Sequence, residues 1–92
     1  MKDVLLFYRD DCGYCVKAHR ALSELMEELP DARGLRIRAV EETEEPALAD
    51  SYDYYAVPTF YVDGVKLFEA HIGMSYEDIK REVRHVLTAA LA

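Results

Sequence analysis

Val4-Leu5-Leu6-Phe7-Tyr8 is an unbroken apolar run closed by the polar cluster Arg9-Asp10-Asp11. A strand that is apolar at every position has to be covered on both faces, so this run belongs inside a sheet. The period then changes from that of a strand to that of a helix. From Cys12 onward Cys15, Ala18, Leu22, Leu25 and Leu29 step by three and four with Met26 beside them, while Lys17, Arg20, Glu24, Glu27 and Glu28 lie on the other side. Pro30 and Gly34 end the helix. A buried strand feeding straight into an amphipathic helix is the start of an α/β layer structure. The 92 residues leave room for one domain, 1–92, and a hydrophobic fraction of 51% is enough to give it a core and to exclude a disordered chain.

The remaining elements follow from local pattern. Leu35, Ile37 and Ala39 alternate with Arg36 and Arg38, which describes a strand buried on one face and placed near the sheet edge. Strand, helix, strand at this length favours parallel pairing. The acidic stretch Glu41 to Glu45 precedes Pro46-Ala47-Leu48-Ala49 and reads as the solvated start of a second helix, with Thr43 as its cap. Thr59 to Val62, then Asp63-Gly64, then Val65 to Glu69 predicts an antiparallel hairpin, because Asp-Gly supplies the positive φ angles of a tight turn. Ser75 with Asp78 forms a capping box for a last helix whose apolar stripe is Tyr76, Ile79, Val83, Val86, Leu87 and Ala90. The predicted order is β-α-β-α-β-β-α.

Charge narrows the partners. Eleven Lys plus Arg against 18 Asp plus Glu give a net charge of −7, which argues against nucleic acid and anionic membrane surfaces, both of which need clustered positive charge. No apolar run is long enough to span a bilayer, and no small-residue cleavage site follows the first strand, so a soluble cytoplasmic protein is expected. Two cysteines cannot build the several-bridge framework of a small secreted fold.

Those two cysteines, in Cys12-Gly13-Tyr14-Cys15, stand where the buried strand hands over to the helix. Cys12 falls at the helix N-terminus, where unpaired N–H groups and the helix dipole favour thiolate over thiol, which makes it the expected nucleophile. Cys15 lies one turn further in and deeper, placed to attack a mixed disulfide on Cys12. Zinc would need about four ligands, and no second cysteine pair exists, so no metal site is expected here. Two inert core thiols are the plain alternative.

Together with Tyr52-Asp53-Tyr54-Tyr55-Ala56-Val57-Pro58-Thr59-Phe60 and Asp63-Gly64, in that order and spacing, the cysteine pair resembles the thioredoxin-fold superfamily, specifically its small glutaredoxin-like and thioredoxin-like members. The likeness covers nearly the whole chain and implies a thioredoxin fold, with a four-stranded mixed sheet flanked by helices. It implies that Pro58 is cis and lies against the cysteine pair, and that the backbone of Val57 pairs with an extended substrate. An X-Pro bond is also where a cis peptide costs least, and proline lacks the N–H a regular central strand would use. An ordinary strand-start proline is the alternative.

The chain departs from its relatives in several places. Thioredoxins usually carry Trp before the first Cys, Pro before the second and a buried Asp in the central strand; here these are Asp11, Tyr14 and Leu6. Glutaredoxins usually have Pro after the first Cys and a Gly-Gly pair before the last helix, against Gly13 and the single glycine of Ile72-Gly73-Met74-Ser75. Arg9 and Tyr14 do match glutaredoxins, and by that resemblance would hold glutathione, Arg9 through a bidentate fork to a carboxylate. Arg9 as a solvated strand-end charge stands equally open. Met74 weighs against close approach of glutathione to the main chain. His19 shares a helix face with the cysteines but reads as a surface residue, and of the tyrosines Tyr52 and Tyr54 read as core while Tyr55 alone suits substrate contact.

The resulting expectation is a monomeric thiol-disulfide oxidoreductase that reduces protein or glutathione-mixed disulfides, with catalytic Cys12 and Cys15 and with Val57, Pro58, Tyr14 and Arg9 binding substrate. It would hold no cofactor, and glutathione or an external flavin-dependent reductase would restore the dithiol. The alternative implied by the resemblance is a glutathione-dependent [2Fe-2S] carrier, since glutaredoxins with Gly after the first Cys can bridge two subunits through such a cluster.

Overall fold

A computed structural model describes residues 1–92 and contains β1 (Val4–Tyr8), α1 (Gly13–Glu28), a 3-10 turn (Pro30–Gly34), β2 (Ile37–Glu41), α2 (Pro46–Asp50), β3 (Thr59–Val62), β4 (Val65–Glu69) and α3 (Tyr76–Leu91). The order is the one expected from the sequence, with the 3-10 turn absorbing Pro30 where α1 ends. The four strands form one mixed sheet in the order β2-β1-β3-β4. β1 pairs in parallel with β2 and antiparallel with β3, and β3 pairs antiparallel with β4. β1, β2 and β4 therefore run the same way, and their last residues, Tyr8, Glu41 and Glu69, all reach the pole where α1 begins.

Alternation in the central strands divides the core between two faces. Val4 and Leu6 of β1, with Phe60 and Val62 of β3, pack against Ala18, Ala21 and Leu25 of α1 and Ile79, Val83, Val86 and Leu87 of α3. On the other face Phe7, Val40 and Tyr61 meet Ala49 of α2 and the rings of Tyr52 and Tyr54. Phe7 stacks on Tyr54 with ring centroids 4.9 Å apart. Leu6 and Phe7 are fully buried on opposite sides, as an interior strand requires, and burial of each such side chain stabilises the fold by about 1.5–3 kcal/mol. No helix is long and apolar enough to cross a membrane.

Local signals produce the turns and caps. Asp63 and Gly64 take φ of 46° and 83°, the left-handed pair that closes the β3–β4 hairpin. Asp63 also exchanges two bonds with Asp3, giving its N–H to the Asp3 carbonyl at 2.9 Å and accepting the Asp3 N–H at 2.8 Å, which fastens the turn to the start of β1. The capping box forms: Ser75 accepts the Asp78 N–H, and the Asp78 carboxylate accepts the Ser75 N–H.

Three expectations need correcting. Ala39 is exposed although its neighbour in register, Leu6, is buried, because β2 lies at the sheet edge; the apolar β2 residue that is covered is Val40, beneath α2. Thr43 does not cap α2, which starts at Pro46 with no side-chain cap; Pro at the first helical position has no N–H to satisfy. Glu41 is not a solvated helix residue but is 9% exposed, and one of its oxygens accepts both the N–H and the hydroxyl of Thr43 at 2.6 and 2.7 Å.

Candidate active site

The site begins where β1 ends. Cys12 is the N-cap of α1, with extended backbone (φ −110°, ψ 120°), and no side chain caps the helix. The first-turn N–H groups and the positive end of the helix dipole are thus left uncapped beside Cys12, and no acidic residue sits in that turn to offset them. Both cysteines are free thiols, with Cys12 half-buried and Cys15 only 1% exposed. Their helical separation of three residues puts the two cysteines on the same face of the first turn of α1.

Cys15 is held as a thiol. Burial pushes it up to about 12; the Arg9 N–H donates to its sulfur at 3.5 Å and works the other way, and the Cys12 side chain adds to the upward push. The two sulfurs therefore occupy different environments, one solvent-accessible at a helix terminus and the other enclosed.

The opposite wall comes from the loop before β3. The Val57–Pro58 bond is cis, Pro58 is fully buried, and the Val57 carbonyl oxygen accepts the Cys12 thiol at 3.7 Å. The Pro58 carbonyl accepts the Ala70 N–H at 3.0 Å, and the buried Thr59 hydroxyl donates to the Ala56 carbonyl. The Val57 N–H has no partner within the chain. Of the expected site residues, Cys12, Cys15, Val57 and Pro58 converge.

Arg9 and Tyr14 lie beside this group but are engaged elsewhere. The Arg9 guanidinium is 3.2 Å from Asp11 and 3.9 Å from Glu42. The Tyr14 hydroxyl accepts the Gly73 N–H at 2.8 Å, tying the first turn of α1 to the loop before α3, and Met74 of that loop is buried. His19 is exposed and stands edge-on to the Tyr8 ring, so Cys12, Cys15 and His19 do not converge as a ligand set. Tyr55 is 94% exposed on the loop leading to Val57, whereas Tyr52 and Tyr54 are core.

Sequence reasoning did not find the carboxylates that hold these loops. Glu41 accepts the Asp10 N–H at 3.1 Å, two residues before Cys12. Glu42 accepts the Tyr54 hydroxyl at 2.6 Å. Glu69 accepts the N–H groups of Tyr55 and Ala56. The available signal was positional: Glu41 and Glu69 each close an edge strand at the pole where the cysteines sit.

No family model and no curated protein matches the sequence. Solved structures share the fold. Mitochondrial thioredoxin 3 from Saccharomyces cerevisiae, in its oxidized form, gives a TM-score of 0.61 at 27% identity over 91% of this chain and 77% of that one. Thioredoxin 1 from Thermosipho africanus gives 0.60 at 13% identity over 98% and 99%. Oxidized glutaredoxin 2 from Chlamydomonas reinhardtii gives 0.55 at 22% identity over 98% and 79%.

Proposed function

We propose that this chain, a thioredoxin-fold superfamily protein, catalyses thiol-disulfide exchange through Cys12 and Cys15. The observation that carries the reading is the Cys12 thiol at the uncapped N-terminus of α1, 3.7 Å from the Val57 carbonyl, with the buried Cys15 thiol one turn behind it. The Cys12 thiolate attacks a substrate disulfide, forms a mixed disulfide and releases the first substrate thiolate. Cys15 then loses its proton and attacks the Cys12 sulfur, which forms the Cys12–Cys15 disulfide and releases the second thiolate. Two electrons and two protons pass from the dithiol to the substrate, and glutathione or a flavin-dependent reductase supplies them again.

The order of the two steps has a physical basis. Part of what keeps Cys15 protonated comes from Cys12, whose side chain and charge both push the Cys15 thiol up. Once Cys12 is bonded to a substrate sulfur both influences vanish, so Cys15 becomes easier to deprotonate when a mixed disulfide is waiting. The unpartnered Val57 N–H and its carbonyl provide a donor and an acceptor on the main chain, suited to an extended peptide beside the disulfide.

Protein disulfides are favoured over glutathione adducts as substrates, because Arg9 is engaged by Asp11 and Glu42 and the Tyr14 hydroxyl by Gly73. A bridging [2Fe-2S] cluster fits poorly: Cys12 is the single accessible thiol of the chain, and such clusters are usually held by four thiolates. Insulin reduction with dithiothreitol, run beside turnover of a glutathione-mixed disulfide, tests the assignment. Acceleration of insulin reduction that is lost in Cys12→Ser is expected; a wild-type protein that accelerates neither reaction overturns it.

A further inference from the structure

Glu69, the last residue of β4, takes no part in the exchange chemistry, yet its carboxylate accepts three hydrogen bonds beside the site. Its Oε2 accepts the backbone N–H groups of Tyr55 and Ala56, each at 2.7 Å. Its Oε1 accepts the Lys66 ammonium at 2.8 Å. An ionised carboxylate oxygen has the lone pairs to take two N–H donors at once. Burial opposes ionisation of Glu69, but Lys66 and the two N–H groups outweigh it and hold the carboxyl below the usual carboxylate range.

The segment so gripped leads directly into Val57 and Pro58. Beyond Val57 the chain is tied again, through the Ala70 N–H to the Pro58 carbonyl and through the Thr59 hydroxyl back to the Ala56 carbonyl. Only Val57 is left with an unpartnered N–H, and its carbonyl faces Cys12. Fixing the flanks while leaving one residue's donor and acceptor free is what preorganises a main-chain docking site, because the ordering entropy is met in folding and not on binding.

We propose that Glu69 is a positioning residue for protein substrates: by clamping the Tyr55 and Ala56 N–H groups it holds the Val57 main chain in the conformation that receives an extended substrate peptide beside Cys12. The role rests on the exchange reading above. It is a binding role, so it separates from reactivity at sulfur: a small disulfide without a peptide backbone does not need it.

The test compares Glu69→Ala and Glu69→Gln with wild type on insulin and on hydroxyethyl disulfide, both with dithiothreitol as reductant. Glu69→Ala is expected to raise KM for insulin about tenfold with kcat unchanged and with the rate on hydroxyethyl disulfide unchanged. Glu69→Gln keeps an acceptor oxygen at the same reach and is expected to recover most of the loss. Amide hydrogen exchange at Tyr55 and Ala56 should quicken in the Ala variant and stay slow in the Gln variant. If the Ala variant does not fold, Glu69→Asp, which withdraws the carboxylate by one methylene, is expected to raise KM in the same way. An unchanged insulin KM in the Ala or Asp variant, equal losses on both disulfides, or no recovery with Gln overturns the role. A wild-type protein that reduces neither disulfide overturns the exchange reading and this role with it, whereas an active wild type with an indistinguishable Ala variant removes Glu69 alone.

Discussion

The Cys12 sulfur and the Val57 carbonyl oxygen, 45 positions apart in the chain, face each other at 3.7 Å. The contact joins the one accessible thiol to a main-chain residue whose N–H is unpartnered. A substrate peptide pairing with Val57 would therefore bring its disulfide to Cys12 and not to Cys15, which is 1% exposed. This asymmetry sets the first prediction. Cys12→Ser should lower disulfide reduction at least about 100-fold, since general exchange requires the thiolate nucleophile. Cys15→Ser should instead accumulate a mixed disulfide on Cys12, visible as a mass increase under non-reducing conditions. Equal alkylation rates at the two thiols of the wild type would contradict the assignment.

Burial of Cys15 also links stability to alkaline pH. Its thiol is pushed up to about 12 in the folded chain, against about 8.5 for an unperturbed cysteine. Between those values the unfolded chain releases this proton and the folded chain keeps it, so stability is full below about pH 8.5 and falls as pH rises toward about 12. The full loss is on the order of 3 kcal/mol or more, and only part of it is reached by pH 10. Urea unfolding at pH 8 and pH 10 under reducing conditions measures it. The fall should be distinctly smaller in Cys15→Ala, and the same slope in both proteins would show that Cys15 is not its source.

The features legible in the sequence are those decided by near neighbours. The handover from Val4–Tyr8 to the α1 stripe, the Asp63-Gly64 turn and the Ser75–Asp78 box each depend on residues a few positions apart, and each forms as expected. The cysteine pair is equally local, and its different burial follows from helix position. What was not legible depends on distance along the chain. Glu69 meets Tyr55 and Ala56 across 14 and 13 positions, and Glu41 meets Asp10 across 31. Nothing within the run Glu41 to Glu45 distinguishes the carboxylate that turns inward from those that face water; sheet topology does that, by bringing the end of β2 beside the end of β1. Ala39 shows the converse: alternation gives the side of the sheet but not whether anything covers it at the edge.

Acid should loosen the contact between α1 and α3. The Glu24 carboxylate accepts the Tyr76 hydroxyl and pairs with Lys80 at 3.0 Å and Arg20 at 3.3 Å. The Tyr76 bond and then Lys80 hold it down at about 2. A depressed carboxylate contributes stability that is present above its ordinary range near pH 4.3 and is lost as pH falls toward the folded value. Thermal melts from pH 6 down to pH 2.5 should show a falling midpoint in the wild type and a shallower fall in Glu24→Gln. Parallel curves would assign the acid sensitivity to the other carboxylates of the pair of helices, Glu28 first, which Lys80 and Arg84 also hold down.

Charge beside the nucleophile should tune its rate without controlling it. The uncapped end of α1 sets unpaired N–H groups and the positive end of the helix dipole beside Cys12, which attract negative charge. Asp10 and Asp11 precede it in the chain and oppose that, each by about 1 kcal/mol or less in high-dielectric surroundings. Arg9 stands 3.2 Å from Asp11, so part of the opposition is neutralised where it arises. Asp11→Asn removes one carboxylate and releases Arg9 from its partner, and both changes favour negative charge on the neighbouring sulfur. A net gain of about 0.5 kcal/mol corresponds to a little over twofold, so iodoacetamide should alkylate Cys12 about two to three times faster in the variant at pH 7 and low salt. All the groups except the sulfur are exposed, so the difference should shrink as salt rises and the screening length falls to about 3 Å at 1 M. An unchanged or slower rate at low salt would mean that the helix terminus alone governs Cys12. A gain that survives 1 M salt would mean that Asp11→Asn acts by moving the Arg9–Asp11 loop and not by charge.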